Sequence, residues 1–497
     1  MANGGAVVVQ SLLANGTQFV AGVPSETGLP LFEAVAGAAS RVRFVPCRQA
    51  AFAAVMAEAA GRLTGRAGVC ILSRAPEALD AVAGMHVALR ACTPMVALIC
   101  AGGRVPRRNE EFDEIDYLAL YRPVTKWVAE VDDPDLLTEY LSRAFHAAHS
   151  ARPGPVALVL PPDVLSADVT TPMPRAAKPA ILGASDAAVV AAITLLERSA
   201  RPLVVAGGAG WIPQAARDLA RFAQTNSIPV ATAAGHPDAY DNRLETYVGR
   251  LGAEPDSASA RCLERADLLV VVGSALGRAT GAAYSWQDPP YTAPRLIHVC
   301  SDPGELGRIY APDLAIAASP GSFLAALVGK PVGTNAGWRE WMATAVAACR
   351  PAIPPDEPAG LQLAGILRHL ESRLSDDAVI CAGAGRVAIC LNRHFRYKQP
   401  RTSLMPVNGA NGYAIPAAVA AKVMAPRRTV VALIDRQCCD SSVQELGTAA
   451  RLGANIIVIV VGHAITAGVE REGEQLVPGR SFGAEVIAAD FMQLARC

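Results

Sequence analysis

Short apolar runs alternate with Ala-rich helical patterns along the chain, and this alternation limits the fold more than any other feature. In the first block the runs lie at 19–23, 68–72, 95–100 and 156–160, and the helical patterns lie at 51–64, 76–89 and 134–149. Strands that are apolar on both faces are typical of parallel sheets covered by helices on both sides. The sequence therefore predicts an α/β fold with doubly wound parallel sheets.

Two Pro-rich segments divide the chain into three such blocks. The first segment, at 166–184, contains Pro172, Pro174 and Pro179, and the second, at 329–360, contains five prolines. A chain of 497 residues has room for three domains with separate cores. We predict domains at 1–165, 185–330 and 360–497, and because 490–497 reads as the start of a helix we expect the third domain to be incomplete.

Composition excludes several classes of partner. Lys and Arg total 45 and Asp and Glu total 45, so no charge imbalance points to nucleic acid or an anionic membrane. The apolar run at 96–101 is too short to span a bilayer. The twelve cysteines form no CxxC pair, and the start of the chain lacks the basic region of a signal peptide. We therefore expect free thiols and a cytoplasmic location.

Several motifs in the right order resemble one enzyme family. Residues 428–446 read RTVVALIDRQCCDSSVQEL, and residues 48–58 read RQAAFAAVMAE. Residues 19–24, 152–156 and 408–418 read FVAGVP, RPGPV and NGANGYAIPAA. These stretches are similar to motifs of the acetolactate synthase-like branch of the thiamine-diphosphate (ThDP) enzymes, and the resemblance covers essentially the whole chain.

The resemblance implies three domains, which are pyrimidine-binding, central and diphosphate-binding in order. It implies decarboxylation of 2-keto acids or C–C ligation on them, with ThDP and Mg²⁺ as cofactors. It also implies a homodimer or homotetramer, because the family's cofactor site lies between the first domain of one chain and the third of another. FAD, which some relatives bind, is not expected, since 279–281 resemble that motif only weakly.

The departures from the family pattern fall on its cofactor-binding positions. Ala50 stands where the family has its catalytic glutamate, although glyoxylate carboligases of the same family work with an apolar residue there. Arg436 stands where the family has the metal-binding aspartate. His463 takes the place of the ligand asparagine, and Asn411 replaces the apolar side chain that supports the bent cofactor. An arginine offers Mg²⁺ no oxygen ligand. We therefore expect ThDP and Mg²⁺ to bind weakly or not at all.

Arginines near the former diphosphate pocket leave two interpretations open. Arg386 and Arg436 could bind an anion without a metal, or they could pair with Asp435, Asp440 or Glu445 in a filled pocket. The candidate cofactor-pocket residues are Arg386, Asn411, Arg436 and Gln437. Any anionic ligand or small carbonyl substrate would be held here.

Four residues are candidates for chemistry in place of the lost glutamate. They are Gln49, Asp113, Cys438 and His463. Asp113 lies in a stretch that resembles the family's substrate channel, and a thiol at Cys438 near Arg436 would ionise more easily. Three of them also have a structural interpretation: Asp113 as a capping or solvated carboxylate, Cys438 as a small buried apolar residue, and His463 as a packed polar residue.

Three functional hypotheses follow. A non-catalytic scaffold, or a partner of an active paralogue, predicts that side chains fill the pocket. A lyase or carboligase that works without ThDP predicts an open pocket around Ala50, Asp113, Arg436 and His463. An unusual ThDP enzyme predicts measurable binding of ThDP.

Overall fold

A computed structural model describes residues 2–102, 115–170, 174–252, 258–276, 294–333, 336–349, 363–462 and 490–496. Within these residues the chain forms three α/β units, each built on a parallel sheet. The antiparallel pairing of the two short strands at 2–3 and 168–169 fastens the beginning of the first unit to its end. The predicted α/β class with parallel sheets is confirmed.

The first domain has a parallel sheet with strand order β3-β2-β4-β5-β7-β6. Its strands are β1 (Ala2–Asn3), β2 (Phe19–Gly22), β3 (Arg43–Pro46), β4 (Gly68–Leu72), β5 (Met95–Ile99), β6 (Trp127–Glu130), β7 (Pro155–Val159) and β8 (Asp168–Val169). Its helices are α1 (Gly4–Ala14), α2 (Leu29–Gly37), α3 (Ala50–Thr64), α4 (Glu77–Asp80), α5 (Val82–Ala91), α6 (Tyr117–Tyr121), α7 (Leu137–His149) and α8 (Pro162–Ser166). The residues of β4, β5 and β7 are buried throughout, as the continuous apolar runs predicted.

The central domain has the strand order β11-β10-β9-β12-β13-β14. Its strands are β9 (Pro202–Ala206), β10 (Val230–Thr232), β11 (Tyr247–Arg250), β12 (Leu268–Val272), β13 (Arg295–Cys300) and β14 (Leu314–Ala317). Its helices are α9 (Asp186–Glu197), α10 (Pro213–Asn226), α11 (Ala258–Arg265), α12 (Pro320–Val328) and α13 (Ala336–Cys349). Separate apolar clusters cover the two faces of this sheet, which is the arrangement of a doubly wound domain.

Helix α13 lies where the sequence predicted a Pro-rich linker. The indole N–H of Trp338 donates to the carbonyl of Ser199 at 2.8 Å, and that of Trp341 donates to the carbonyl of Pro202 at 2.8 Å. Both indoles are buried in the central domain. The prediction of a linker was wrong at 336–349, because two buried tryptophans fix the helix to the central sheet.

The third domain, as far as the structure describes it, has the strand order β16-β15-β17-β18. Its strands are β15 (Val379–Ala382), β16 (Ser403–Leu404), β17 (Val430–Asp435) and β18 (Ile457–Val461). Its helices are α14 (Leu363–Arg373), α15 (Arg386–His394), α16 (Ala414–Met424), α17 (Arg436–Ser442), α18 (Glu445–Leu452) and α19 (Phe491–Leu494).

The first and third domains share one apolar cluster. Helices α3 and α16, both rich in alanine, pack against each other, and their buried faces merge with the sheets on either side. Small side chains allow two helices to approach closely and pack densely. No helix in the described part of the chain is long and apolar enough to cross a membrane.

Candidate functional site

Three loops of the third domain meet at the carboxyl edge of its sheet. They are 383–385 after β15, 408–412 before α16, and 435–438 at the junction of β17 and α17. We call these residues the cradle. Loops at the carboxyl ends of parallel strands usually form the ligand crevice of α/β domains. The cradle is therefore a candidate ligand site.

Asp435 ends β17 and caps α17. Its backbone is extended, with φ −79° and ψ 171°, and one carboxylate oxygen accepts a hydrogen bond from the N–H of Cys438 at 2.8 Å. The other oxygen faces Gly385, where a Cβ would stand 3.6 Å from it. Gly385 has φ +76°, which favours glycine. A carboxylate of the chain itself therefore lies at the start of α17, in the middle of the cradle.

Cys438 fills the space beside Asp435. Its thiol donates to the side-chain oxygen of Asn411 at 3.4 Å, and a Cβ at Gly383 would lie 3.2 Å from its sulfur. Burial raises the pKa of the Cys438 thiol to about 11, and the negative charge of Asp435 adds to the effect. Burial and the charge of Asp435 therefore act against the easily ionised thiol that the sequence predicted at Cys438.

The guanidinium of Arg436 lies over the ring of Phe491. The guanidinium carbon lies over Phe491 at 5.6 Å from the ring centroid, a cation–π distance. The residue is half-buried, and its neighbour Gln437 is exposed. The carbonyl of Gln437 accepts a hydrogen bond from the Ser441 hydroxyl at 3.0 Å. The segment 490–496 thus reaches the cradle through Phe491.

The first domain brings Ala50 to the same region. Ala50 is the first residue of α3, is 1% exposed, and belongs to the apolar cluster that also contains Cys438 and Cys439. Gln49 precedes it as an exposed residue whose side chain makes no capping hydrogen bond to the helix. Within one chain Ala50 and Cys438 belong to the same large apolar cluster, and the Cys438 thiol contacts Asn411.

Some of the predicted site residues lie outside the part of the chain that the structure describes. Asp113 and His463 lie outside the described residues, as does the side chain of Arg386, whose backbone begins α15. Glu445 was one of the predicted partners of Arg386 and Arg436. It is buried, and it accepts hydrogen bonds from the backbone N–H of Arg48 at 2.8 Å and from the hydroxyl of Thr448 at 2.6 Å. In the described part of the chain, no three His, Cys, Asp or Glu side chains group as a metal site.

Sequence reasoning missed a buried polar cluster between the first and third domains. Glu58 on α3 is fully buried and accepts hydrogen bonds from the hydroxyls of Thr93 at 2.8 Å and Tyr413 at 2.5 Å. Burial raises the pKa of Glu58, while Arg62 and the two hydroxyls oppose the rise. The sequence signal for this cluster was Glu58 itself, an acid within an alanine-rich helical pattern. A buried acid requires a hydrogen-bonding partner.

Arg62 joins all three domains one turn further along α3. It donates to the carbonyl of Met405 in the third domain at 2.9 Å and to that of Gly235 in the central domain.

A cavity of about 300 Å³ opens beside Arg62, and its wall includes His236 and Arg401. Burial and, to a smaller extent, the charge of Arg62 lower the pKa of His236 to about 3, so the imidazole is neutral. This cavity lies at the far end of α3 from Ala50 and the cradle.

Comparison with known families assigns all three units. The N-terminal TPP binding domain of thiamine pyrophosphate enzymes matches residues 2–120, the central domain of these enzymes matches 189–327, and their C-terminal TPP binding domain matches 383–497. The chain belongs to the thiamine pyrophosphate enzyme family. The order of the matched domains is the one that the motif resemblance implied.

Relatives of this thiamine pyrophosphate family chain are acetolactate synthases. It is 30% identical to the acetolactate synthase large subunit of Parasynechococcus marenigrum over 99% of this chain and 82% of that protein. It is 29% identical to the large subunit of Corynebacterium glutamicum over 95% of this chain and 76% of that protein. A probable large subunit of Methanocaldococcus jannaschii is 27% identical over 96% of this chain and 83% of its own length. The protein is therefore acetolactate synthase-like.

Proposed function

We propose that this acetolactate synthase-like protein has lost standard catalysis with ThDP and Mg²⁺ and acts as a non-catalytic subunit that assembles with itself or with an active relative. The observation that carries the proposal is the position of Asp435. Its carboxylate accepts from the N–H of Cys438 at the start of α17. Backbone N–H groups at such a position are the ones that bind a phosphate. The chain's own anion therefore competes with the diphosphate of a cofactor.

The residues of the cradle do not fit Mg²⁺. Mg²⁺ requires oxygen ligands in nearly octahedral order. Arg436 supplies a cation at the position where, by resemblance, the family has an aspartate, and its guanidinium lies over Phe491. Asp435 is the nearest carboxylate in the sequence, but one of its oxygens already accepts the capping hydrogen bond. The described residues of the cradle therefore offer Mg²⁺ no matching set of ligands.

The contribution of the first domain also argues against ThDP chemistry. By resemblance, the family's glutamate at the position of Ala50 holds the aminopyrimidine of the cofactor, and a methyl group can neither accept nor donate that proton. A positioned acid or base contributes roughly 10²- to 10⁴-fold to a rate. Since Ala50 is 1% exposed among apolar neighbours, it acts as a packing residue within this chain.

The packing of the described residues favours a filled cradle over an open one. The hypothesis of an enzyme working without ThDP requires a pocket around Ala50, Asp113, Arg436 and His463. Of these, the two described residues are a buried alanine and an arginine stacked on a ring. Cys438 is buried, and its thiol donates to the side-chain oxygen of Asn411. These contacts favour a non-catalytic subunit over an enzyme that works without ThDP.

Assembly is the positive part of the proposal. The relatives are named as large subunits, and we propose that this chain likewise works in an assembly, as a homodimer or homotetramer or with a related chain, in the cytoplasm. Native mass spectrometry of the purified protein measures the mass of the assembly and of any retained small molecule. A strictly monomeric protein would contradict this part of the proposal.

Calorimetry with millimolar ThDP and Mg²⁺ tests the loss of the cofactor. We expect no heat of binding for the natural chain. The triple change Asp435→Gly, Arg436→Asp and Gln437→Gly restores the family's loop and is expected to gain ThDP-dependent heat. Arg217→Gln, at an exposed arginine whose side chain bonds Gln214 among the described residues, serves as the control. Saturable, Mg²⁺-dependent binding of ThDP to the natural chain would overturn the proposal.

A further inference from the structure

The sequence contains four Asn-Gly dipeptides, and two of them lie in the cradle. They begin at Asn3, Asn15, Asn408 and Asn411. Asparagine is a thermally labile residue, because its side-chain amide can be attacked by the backbone nitrogen of the residue that follows. Glycine hinders this attack least, since it has no side chain and a flexible backbone. The tertiary structure then decides which of the four dipeptides can react.

Three of the four dipeptides hold the glycine nitrogen in place. The backbone N–H groups of Gly4 and Gly16 each donate to a backbone carbonyl at 3.0 Å. Gly412 is buried, and its backbone N–H donates to the sulfur of Cys438. A nitrogen that is bonded or buried in this way does not turn toward the preceding side chain.

The dipeptide at Asn408 differs from the other three. Gly409 is exposed, has φ +77°, and would place a Cβ with no other atom within 4 Å. Among the described residues its N–H reaches the carbonyl of Pro406 at 3.5 Å, which is longer than an ordinary hydrogen bond. The nitrogen of Gly409 is therefore available for attack, and water has access to it.

The side chain of Asn408 is oriented for this attack. Its oxygen accepts a hydrogen bond from the backbone N–H of Ala410 at 3.2 Å. This contact is an Asx turn, which folds the side chain over the peptide that follows it. A donor at the amide oxygen also stabilises the negative charge that develops there during attack.

His86 faces the other end of the same amide. Because the oxygen of Asn408 is directed to Ala410, its NH₂ group donates to Nδ1 of His86, at 2.8 Å. His86 lies on α5 of the first domain and is exposed. Histidine is the side chain that exchanges protons near neutral pH. The group that must leave as ammonia therefore touches a group that can carry a proton to it.

We propose that Asn408 is a site of spontaneous deamidation and that His86 carries the proton in this reaction. The nitrogen of Gly409 forms a bond to Cγ of Asn408, and the bond from Cγ to Nδ2 breaks, which leaves a cyclic succinimide. The proton of the Gly409 nitrogen passes through His86 to Nδ2, which departs as ammonia. Water then opens the ring at one of its two carbonyls, giving aspartate or isoaspartate.

The modification changes the contact between the first domain and the cradle. An NH₂ donor facing His86 becomes a carboxylate, so the contact becomes one between a negative charge and a histidine. Isoaspartate also adds one carbon to the main chain in the loop that carries Asn411, whose side chain contacts Cys438. The inference needs only these contacts, and it holds whether or not the chain is catalytic.

Peptide mass spectrometry of the full chain, incubated in neutral buffer at physiological temperature, tests the proposal. We expect Asn408 to convert about tenfold or more faster than Asn3, Asn15 and Asn411, since only this site has a free nitrogen and a proton carrier. In concentrated urea the four sites should convert at similar rates, because the folded contacts are absent. Equal rates in the folded protein would overturn the proposal, as would an Asn408 that stays intact throughout.

His86→Gln separates proton transfer from simple contact. Glutamine keeps a hydrogen-bonding partner for Asn408 but does not exchange protons near neutral pH, so conversion of Asn408 should slow by about tenfold or more. Arg90→Gln, one turn later on α5 and also exposed, is the matched control and should convert as the natural chain does. In urea both variants should match the natural chain. An unchanged rate in folded His86→Gln would contradict the assigned role of His86 and overturn the proposal.

Discussion

The carboxyl group of Glu58 in the first domain accepts a hydrogen bond from the hydroxyl of Tyr413 in the third domain at 2.5 Å, although 355 positions separate them in the sequence. Thr93 donates a second hydrogen bond to the same carboxyl group. All three side chains lie in the interface where α3 and α16 pack. The interface between these domains is therefore fixed by a polar contact inside an otherwise apolar cluster.

Glu58→Gln should change how stability depends on pH. Burial raises the pKa of Glu58 in the folded protein. The folded state therefore holds this proton more tightly than the unfolded state does. Protonated Glu58 therefore contributes fully to the free energy of unfolding when the pH is below the pKa of Glu in the unfolded chain. This contribution is lost as the pH rises through the pKa of Glu58 in the folded protein. Glutamine stays neutral, so urea unfolding from pH 5 to 9 should show a smaller loss of stability with rising pH.

Tyr413→Phe tests the same contact from the other side. It leaves a buried carboxyl group without one of its partners, which costs about 1–3 kcal/mol in the free energy of unfolding. The double variant with Glu58→Gln should lose less than the sum of the two single changes, because the partners act together. Strict additivity would contradict a direct interaction.

His236→Gln should reduce the loss of stability in acid. Burial, with help from Arg62, lowers the pKa of His236 to about 3, against about 6.5 in an unfolded chain. Between these values the unfolded state binds more protons than the folded state, so stability rises with pH in this window and falls on acidification. The difference in unfolding free energy between pH 7 and pH 4 should be smaller for the variant. An equal difference would contradict a neutral, buried His236.

Asp435→Ala should destabilise the third domain. Removal of a helix cap costs about 1 kcal/mol, because the N–H of Cys438 loses its acceptor. Asp435→Asn keeps an oxygen acceptor and should cost less. Asp440→Ala, an exposed residue on the same helix, is the matched control and should cost little. The measurement is urea unfolding of the three variants, and equal losses from Asp435→Ala and Asp440→Ala would contradict the capping role.

Cys438 should resist alkylation in the folded protein. The residue is 1% exposed, and burial raises the pKa of its thiol to about 11, so almost no thiolate is present near neutral pH. Cys390, which is half-buried on α15, should react with iodoacetamide first. Peptide mass spectrometry over a time course gives the order. Early labelling of Cys438 would contradict the filled cradle.

The sequence predicted elements with strong local patterns and missed those that depend on distant partners. The fully apolar runs at β4 and β5 were predicted because both faces of these strands are buried. After β17 the structure has two helices, α17 and α18, which separate at Val443 and Gln444. Helix α17 begins at the Asp435 cap. The family resemblance masked this contact, since the matching position is a glycine there.

The sequence by itself determined the three-domain α/β architecture and the substitutions at Ala50, Arg436 and Asn411, because periodicity and residue identity are local properties. Only the tertiary structure decided which groups these residues meet. The stacking of Arg436 on Phe491, the thiol contact of Cys438 with Asn411, and the burial of Glu58 against Tyr413 each join distant parts of the chain. Such contacts follow from packing in three dimensions, and a local pattern does not encode them.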